Sequence, residues 1–413
     1  MTPDGPTNAD LGIEANAVTA VAPELDISAD TVIDATGCLV GPGFVDLHVH
    51  LRDPGQTWKE DLETGSRAAA AGGYTGVVAM PNTDPPLDNP GAIRDVIERG
   101  RQIGLMDVAV AAALTQGREG TEATDVTALY AAGARIFSDD GDSVEDSALL
   151  KDQMLLISRL PGAVVSQHAE DTTLTLGGHM HEGETAKMHR LGQLPSSAES
   201  DVVARDLKLA EETGCRYHCQ HVSAAATVDL IREAKKRGLH ITAEVTPHHL
   251  YFTDEDLGVL DTNLKMYPPL RSEADRQSLV TALQDGTIDA VATDHAPHSQ
   301  SEKDVGFEEA PRGVIGLETA ASVAWSVIEQ PVRFFEIMSA KPADIAGMAT
   351  QGLWLRAGGP ANVVVFDPNE NWLPTGFASR SVNSPFLGEK LSGRVQATIY
   401  QGKMTYQLDE TDD

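Results

Sequence analysis

The chain has 413 residues, 41% of them hydrophobic, which is enough for a large core. Its apolar runs stay below the ~18 residues that a membrane span requires. With 62 acidic and 31 basic residues the formal net charge is −31, so long-range repulsion opposes binding to nucleic acid or anionic membranes. Three cysteines, Cys38, Cys215 and Cys219, argue against a disulfide framework. The acidic start "MTPDGPTNADLG" does not resemble a secretory signal, so we expect a cytoplasmic protein.

In chain order, the first predicted elements are strands in "NAVTAVA" and "DTVIDATG". Eight runs rich in Val, Ile and Ala follow, each succeeded by a polar turn and a segment with helical periodicity. The eight predicted strands end near His48, Met80, Ala113, Ser138, His168, His221, Val245 and Asp294. This alternation favours a parallel sheet, and eight repeats predict an α/β fold closed into a (β/α)8 TIM barrel.

The composition changes at about Gly358, where "ANVVVFD", "ATIYQG" and "KMTYQ" are typical of short strands. We therefore predict a small β-sandwich domain built from both termini, with the barrel inserted between its halves. The predicted parts are residues 1–42 for the first part of the small domain, 43–354 for the barrel and 355–413 for the second part. The last residues, "LDETDD", are predicted to form a solvated tail.

Metal-ligating side chains recur at the ends of the predicted barrel strands. His48 and His50 in "DLHVHLRDPG" lie two residues apart, so both would project from one side of the first strand into the barrel mouth. This pattern is weak alone, but His168, His221 and Asp294 end three other strands, and all strand ends converge on one face of a barrel. Four imidazoles and a carboxylate exceed the three protein ligands usual for one catalytic zinc, so we predict two metals.

Two cations ~3.5–4 Å apart require an anion that bridges them. Asp139 and Asp140 in "ARIFSDDG", at the end of the fourth strand, both qualify. Their spacing does not choose between them, and one of them could instead cap the next helix.

Other residues near these motifs are assigned less direct roles. Strand alternation predicts that Tyr217, Cys219 and His221 share a face and that His218 points into the surrounding helices. The sequence "CRYHC" lacks a second cysteine pair, which argues against a thiolate metal site. Further histidines near the mouth are expected to support the ligands through hydrogen bonds; they are His248, His249 and His295.

The motifs "DLHVHLRDPG", "MPNT", "FSDDG", "QHAED", "QHVS", "AEVTPHHL", "PPLR" and "ATDHAPH" occur in this order, and the chain thereby resembles the cyclic amidohydrolases, most closely type I dihydroorotases. The resemblance implies two divalent metal ions, with zinc as the expected metal. It implies that His48, His50 and Asp294 bind one metal, that His168 and His221 bind the other, and that Asp140 lies between them. It also implies that Asp294 is catalytic and transfers a proton to the ring nitrogen.

A small anionic substrate is expected beside the metals. The guanidinium of Arg52, two residues past His50, suits a carboxylate, with a surface arginine as the alternative. The resemblance adds Asn82, otherwise an ordinary Asx turn, as a second contact. Tyr267 stands where the family usually has an asparagine, and Arg312 where a smaller or apolar residue is usual. The full set of predicted substrate-binding residues is Arg52, Asn82, His298, Tyr267, Arg312 and Gly313.

The resemblance implies a dihydroorotase, which interconverts N-carbamoyl-L-aspartate and dihydroorotate in de novo pyrimidine biosynthesis. Hydantoinases, dihydropyrimidinases and allantoinases are the enzymatic alternatives, but they usually bridge their metals with a carboxylated lysine, and positions 138–140 hold Ser-Asp-Asp. A non-catalytic subunit that scaffolds aspartate transcarbamoylase is a further alternative, disfavoured because all six ligand positions are filled. Association with aspartate transcarbamoylase and a homo-oligomeric state both stay open.

Overall fold

A computed structural model of the protein describes residues 1–408, so residues 409–413 of the predicted tail lie outside the described part. The strands are β1 (Asp10–Glu14), β2 (Ala17–Ala22), β3 (Leu39–Pro42), β4 (Phe44–Val49), β5 (Tyr74–Ala79), β6 (Asp107–Ala112), β7 (Ile136–Phe137), β8 (Val164–Gln167), β9 (Met180–His181), β10 (Gln193–Leu194), β11 (Tyr217–Cys219), β12 (Ile241–Val245), β13 (Ala290–Val291), β14 (Val363–Trp372), β15 (Leu391–Tyr400) and β16 (Lys403–Gln407).

The helices are α1 (Leu62–Ala71), α2 (Pro90–Ile103), α3 (Val126–Ala131), α4 (Ser147–Ile157), α5 (Thr172–Thr175), α6 (Glu184–His189), α7 (Ser197–Thr213), α8 (Ala225–Lys236), α9 (Pro247–Tyr251), α10 (Glu273–Asp285), α11 (Gln300–Lys303), α12 (Ala320–Ile328), α13 (Pro331–Phe335) and α14 (Lys341–Ala346). No helix within residues 1–408 is both long and apolar enough to cross a membrane.

Eight parallel strands form one sheet in the order β13-β12-β11-β8-β7-β6-β5-β4. The two outer strands meet, because the His50 amide donates to the His295 carbonyl at 2.9 Å and Val49 pairs in parallel with His295. The sheet is therefore closed, and the predicted TIM barrel is confirmed. Every strand runs in the same direction, so the loops that follow the strands lie at one end of the barrel.

The sequence explains why the surrounding helices begin and end where they do. Asn89 caps α2 by accepting from the amides of Gly91 and Ala92, both at 3.1 Å, and Pro90 occupies the first turn. The helix ends at Gly104, whose φ of 70° is left-handed. Strands β4 and β5 are buried along their whole length, as expected for parallel strands covered on both faces.

An antiparallel sheet lies outside the barrel and takes strands from both ends of the chain, in the order β16-β15-β14-β3. Strands β14, β15 and β16 of this sheet confirm the predictions for "ANVVVFD", "ATIYQG" and "KMTYQ". The β1–β2 hairpin joins it through the Val18 amide, which donates to the Gly359 carbonyl at 2.9 Å. The boundaries proposed at residues 42 and 354 stay a prediction.

One predicted strand, "DTVIDATG", was wrong. Residues 31–36 form no strand and are largely exposed. The Asp34 carboxylate accepts from the Thr36 amide at 2.9 Å, which is a local turn that competes with strand pairing.

Candidate metal centre

The predicted metal ligands converge at the end of the barrel where the strands finish. One buried group consists of His48, His50 and Asp140, and a second of Asp140, His168 and His221. Within each group the candidate ligand atoms all lie within 4.8 Å of one another. The two groups share Asp140, which is the arrangement expected of a carboxylate between two cations.

The distances place Asp140 at the centre of this cluster. Its Oδ1 lies 3.2 Å from His48 Nε2, 3.8 Å from His221 Nε2 and 3.9 Å from His168 Nδ1. Its Oδ2 lies 3.5 Å from His50 Nε2. Four imidazoles therefore surround one carboxylate.

The neighbouring Asp139 has a different role. It accepts from the amides of Leu114 at 2.7 Å and Thr115 at 3.1 Å, and from the Thr115 hydroxyl, so it anchors the loop after β6. The next helix, α4, is capped by Asp146 instead. Neither Asp139 nor Asp140 is thus a helix cap.

Asp294, the residue predicted to be catalytic, lies on the side of the first two histidines. Its Oδ1 is 3.0 Å from His50 Nε2 and 3.5 Å from His48 Nε2. His168 Nδ1 and His221 Nε2 lie 2.9 Å apart, and both face Asp140 Oδ1. The short distances thus group Asp294 with His48 and His50, and His168 with His221, while the assignment of each group to one metal stays a prediction.

The donor atoms fit a divalent metal. His48 Nε2 and Asp140 Oδ1 are buried and have no hydrogen-bond partner, although they face each other at 3.2 Å. Buried polar atoms are rarely left without a partner, because their desolvation is then uncompensated. A cation between them would compensate both atoms, and an imidazole and carboxylate set suits zinc.

Charge in the cluster is mutually stabilised. Burial opposes ionisation of Asp140, but the neighbouring His48 and the other imidazoles hold its pKa well below the usual value. The pKa of Asp294 is lowered in the same way, against the effect of its burial, by His48 and His50. Both carboxylates are therefore anionic at neutral pH, which is the form that binds a cation.

Glu244 contacts a candidate metal ligand, His48, and was not singled out from the sequence. Its Oε1 lies 2.8 Å from His48 Nδ1, and its Oε2 lies 3.0 Å from His218 Nε2. With Nδ1 of His48 engaged, Nε2 is the nitrogen that faces Asp140. A carboxylate on the far nitrogen of a ligating histidine fixes the orientation of the ring.

The expectation that His218 points into the helices was wrong, because it lies inside the barrel against Glu244. Tyr217 instead faces outward, where its hydroxyl donates to Asp206 of α7 at 2.8 Å. His221 still reaches the cluster because it lies beyond the end of β11 with φ of 27°, which breaks the strand alternation.

Left-handed backbone recurs at the centre. Arg52 has φ of 57° and Asp294 has φ of 47°, in addition to His221. Such conformations are costly for residues with a side chain and cluster at functional sites. Three of the site residues are thus held by backbone that the surrounding loops impose.

Asn82 contacts His50 directly. Its Oδ1 lies 2.7 Å from His50 Nδ1, so the amide oxygen accepts and leaves His50 Nε2 facing Asp140 and Asp294. This contact orients a candidate ligand, and the amide nitrogen of Asn82 is still available for a substrate contact.

Arg52 and His298 lie together beside the cluster and are both largely buried, at 8% and 6% exposure. Arg52 Nε donates to the Pro297 carbonyl at 3.2 Å. His298 Nδ1 lies 3.4 Å from the ammonium of Lys59, which can only donate, so Nδ1 accepts and Nε2 donates to the Arg312 carbonyl at 2.9 Å. Burial and, to a smaller extent, the adjacent cations together lower the pKa of His298 to about 2, so the ring is neutral.

Tyr267 and Arg312, where the chain departs from the family pattern, contact each other. The Arg312 guanidinium lies 3.9 Å from the centre of the Tyr267 ring, whose centroid is 4.9 Å from that of His168. Arg312 also donates to the Gly178 carbonyl at 2.6 Å. Gly313 has φ of 126°, and an added Cβ would lie 2.8 Å from Ala296 Cβ, so this turn requires glycine.

The side chains of two histidines expected to support the ligands form their hydrogen bonds with other groups. His249 pairs with the Thr246 hydroxyl at 2.7 Å and the Pro268 carbonyl at 3.1 Å, and His295 lies 3.4 Å from Glu60. That expectation was wrong for both, because groups other than the candidate ligands engage their rings. His248 Nε2 is buried without a hydrogen-bond partner.

Comparison with known proteins identifies the family of the chain. A family model described as "Dihydro-orotase-like" matches residues 37–227. A dihydroorotase of Mycobacterium bovis is 45% identical over 407 residues, which are 96% of this chain and 94% of the relative. The chain belongs to the dihydroorotase family. A dihydroorotase of a Geobacillus species is 42% identical over 404 residues, again 96% of this chain and 94% of the relative.

Solved structures show the same architecture in related hydrolases. The L-hydantoinase (dihydropyrimidinase) of Arthrobacter aurescens superimposes with a TM-score of 0.87 at 27% identity, covering 99% of this chain and 94% of that chain. A dihydropyrimidinase from Brevibacillus agri has a TM-score of 0.81 at 24% identity, covering 98% and 92%, and is similar in fold. The family predicted from the motifs is thus confirmed, and its solved neighbours are hydrolases of cyclic amides.

Proposed function

We propose that this member of the dihydroorotase family interconverts N-carbamoyl-L-aspartate and dihydroorotate, in de novo pyrimidine biosynthesis. The observation that carries the proposal is 45% identity to a dihydroorotase over nearly the whole chain, combined with four buried histidines around Asp140 and with Asp294 beside two of them. A non-catalytic scaffold has no need of buried, convergent ligands. The reaction is the addition of water across a cyclic amide C–N bond, and cyclisation is its reverse.

We further propose that the cluster holds two divalent ions, with zinc as the expected metal. His48, His50 and Asp294 would hold one ion, His168 and His221 the other, and Asp140 would lie between them. When bound, such ions lower the pKa of water towards ~7 and polarise a carbonyl group. The buried, unpartnered His48 Nε2 and Asp140 Oδ1 support this assignment.

In the proposed mechanism Asp294 moves the proton. As the oxygen of water bonds to the amide carbon, the Asp294 carboxylate accepts a proton from the water. When the ring C–N bond breaks, it delivers that proton to the departing nitrogen. Its low pKa, set by the adjacent imidazoles despite burial, keeps it ionised before each cycle.

Arg52 and Asn82 are proposed to orient the substrate through its carboxylate. The protein carries a net charge of −31, so attraction of an anion must be local. Arg52 supplies a buried guanidinium beside the cluster, and the Asn82 amide nitrogen can donate to the same group. His298, Tyr267, Arg312 and Gly313 line the neighbouring loops and are proposed as the remaining contacts.

A cytoplasmic location and an association with aspartate transcarbamoylase or with further copies of the chain also belong to this proposal.

The test is a turnover assay of metal-loaded protein with four rings in parallel: dihydroorotate, 5,6-dihydrouracil, hydantoin and allantoin. Opening of dihydroorotate alone is the expected result, and a preference for any other ring would replace the assignment. Metal analysis of the same sample is expected to give about two equivalents. Protein that binds no metal and opens no ring would be a scaffold.

A further inference from the structure

Asn383 is a buried residue of the segment between β14 and β15, outside the barrel sequence, yet it reaches the substrate side of the site. Its side chain is 2% exposed. Its Oδ1 accepts from the His298 amide at 3.1 Å. Its Nδ2 donates to the Ala296 carbonyl at 3.2 Å and to the Gly313 carbonyl at 3.1 Å.

Asn383 therefore joins two loops that follow the barrel strands. Ala296 and His298 belong to the loop after β13, which also contains Asp294. Gly313 belongs to the next turn, and the adjacent Ile315 amide donates to the Asn383 carbonyl at 3.0 Å. The side chain and backbone of Asn383 thus pair with four backbone groups of these loops. They are the His298 and Ile315 amides and the Ala296 and Gly313 carbonyls.

The contact between Asn383 and the His298 amide also links Asn383 to Arg52 through a single peptide unit. The Pro297 carbonyl and the His298 amide belong to one planar peptide unit. Its oxygen accepts from Arg52 Nε at 3.2 Å, and its N–H donates to Asn383. Because the unit is rigid, a rotation that followed loss of Asn383 would move the carbonyl that holds the guanidinium.

The rest of the segment binds the loop that carries Arg52. The Ser381 hydroxyl donates to the Lys59 carbonyl at 2.7 Å, and the Arg380 amide donates to Glu60 at 3.2 Å. Glu60 is fully buried and also contacts His295. The loops after the first and the last barrel strands are therefore held by the same segment.

We propose that Asn383 is a positioning residue that acts through the Pro297–His298 peptide to aim Arg52 at the substrate carboxylate. This inference rests on the proposed function, because it takes the carboxylate of the substrate as the partner of Arg52. It assigns a role in substrate selection to a residue of the antiparallel sheet region.

The test is a double-mutant cycle in which kcat/KM for dihydroorotate is measured for Asn383→Ala, Arg52→Lys and the double variant. Alone, Asn383→Ala is expected to lower kcat/KM about 100-fold, mainly through KM, because the guanidinium is misplaced. In the Arg52→Lys background the same change is expected to cost less than about threefold, since interacting residues are not additive. If the fold-losses in kcat/KM of the two single variants multiply in the double variant, the two residues act independently and the proposal is overturned.

Asn362 provides the matched control. It is also a buried asparagine, at 5% exposure, that donates to the Thr350 carbonyl at 3.0 Å and accepts from the Gln401 amide at 2.9 Å. Asn362→Ala removes comparable hydrogen bonds away from the site, so kcat/KM is expected to stay within about twofold of wild type. An equal loss in both variants would mean that Asn383 is merely structural.

Hydrogen exchange and a substitute variant distinguish a local effect of Asn383 from a loss of folding. Hydrogen exchange in Asn383→Ala is expected to show faster exchange at the His298 and Ile315 amides, with unchanged metal content. If that variant does not fold, Asn383→Leu replaces it in the cycle, because it keeps a similar side-chain volume but provides no acceptor for the His298 amide. Wild type tests the proposed function separately: failure of wild type to open dihydroorotate would overturn the proposed substrate and with it the carboxylate as the partner of Arg52, whereas an active wild type with multiplying losses would overturn the role of Asn383 alone.

Discussion

Glu244 Oε1 lies 2.8 Å from His48 Nδ1, so a buried carboxylate determines which nitrogen of this histidine faces the candidate metals. The carboxylate also raises the basicity of the ring, which strengthens a metal bond. Glu244→Gln removes the charge but keeps the shape. We expect metal affinity to fall about 10–100-fold, measured by competition with a chelator.

A matched variant separates this effect from general destabilisation. Asp206 is a buried carboxylate in α7 that accepts from Tyr217 and Gln167 but contacts none of the six candidate ligands. Asp206→Asn should leave metal affinity near that of wild type. Equal affinities for Glu244→Gln and wild type would remove Glu244 from the metal centre.

Asp294→Asn tests proton transfer. The amide can no longer accept a proton, so turnover of dihydroorotate is expected to fall by about 10³-fold, within the range of general acid–base catalysis. Because Asp294 lies on the His48–His50 side, the ion proposed between His168 and His221 should be retained. Rates and metal content are measured on the same sample, and an unchanged rate would exclude Asp294 as the proton carrier.

The strand ends explain why the metal ligands could be predicted from sequence. His48, His168, His221 and Asp294 each follow a short apolar run, and barrel closure brings such positions together regardless of their separation in the chain. Spacing alone did not choose between Asp139 and Asp140, because adjacent residues at a strand end can turn either way, and only the family resemblance indicated Asp140. The amides of the loop after β6 decide the choice by engaging Asp139.

Backbone that departs from regular structure, and contacts between residues distant in the chain, could not be predicted from the sequence. His218 was assigned to the wrong face because the positive φ of His221 was not visible in the alternation. Glu244 lies inside a strand, where a carboxylate carries no pattern of its own. Asn383 contacts a loop 85 positions away.

Arg52→Met tests recognition of the substrate carboxylate. A buried, charge-assisted hydrogen bond contributes about 1.5–3 kcal/mol, so KM for dihydroorotate is expected to rise about 10–100-fold. Any turnover of 5,6-dihydrouracil, which has no carboxylate, should be insensitive to the change. Arg237→Met, which removes an exposed arginine paired with Glu211 at 3.2 Å, controls for net charge. Parallel losses on both rings would contradict the role.

Lys303 gives the stability a predictable dependence on pH. It is 2% exposed, and its ammonium donates to the Pro311 and Gly313 carbonyls, both at 3.0 Å. Burial lowers its pKa from 10.5 to about 7. Between these values the unfolded chain binds a proton that the folded protein has released, so the free energy of unfolding rises with pH. The stability that the protein gains from deprotonation of Lys303 is complete above pH 10.5 and is lost as the pH falls through about 7.

Lys303→Met removes this titration. From pH 7 to pH 9 the free energy of unfolding of wild type should rise relative to the variant by about 2 kcal/mol, measured by urea unfolding of metal-loaded protein. Lys151, whose exposed ammonium pairs with Glu212 at 2.7 Å, provides the control. The free energy of unfolding of Lys151→Met should change with pH as that of wild type does across this range, because an exposed ion pair contributes little to stability. A constant difference between wild type and Lys303→Met would mean that Lys303 stays protonated in the folded protein.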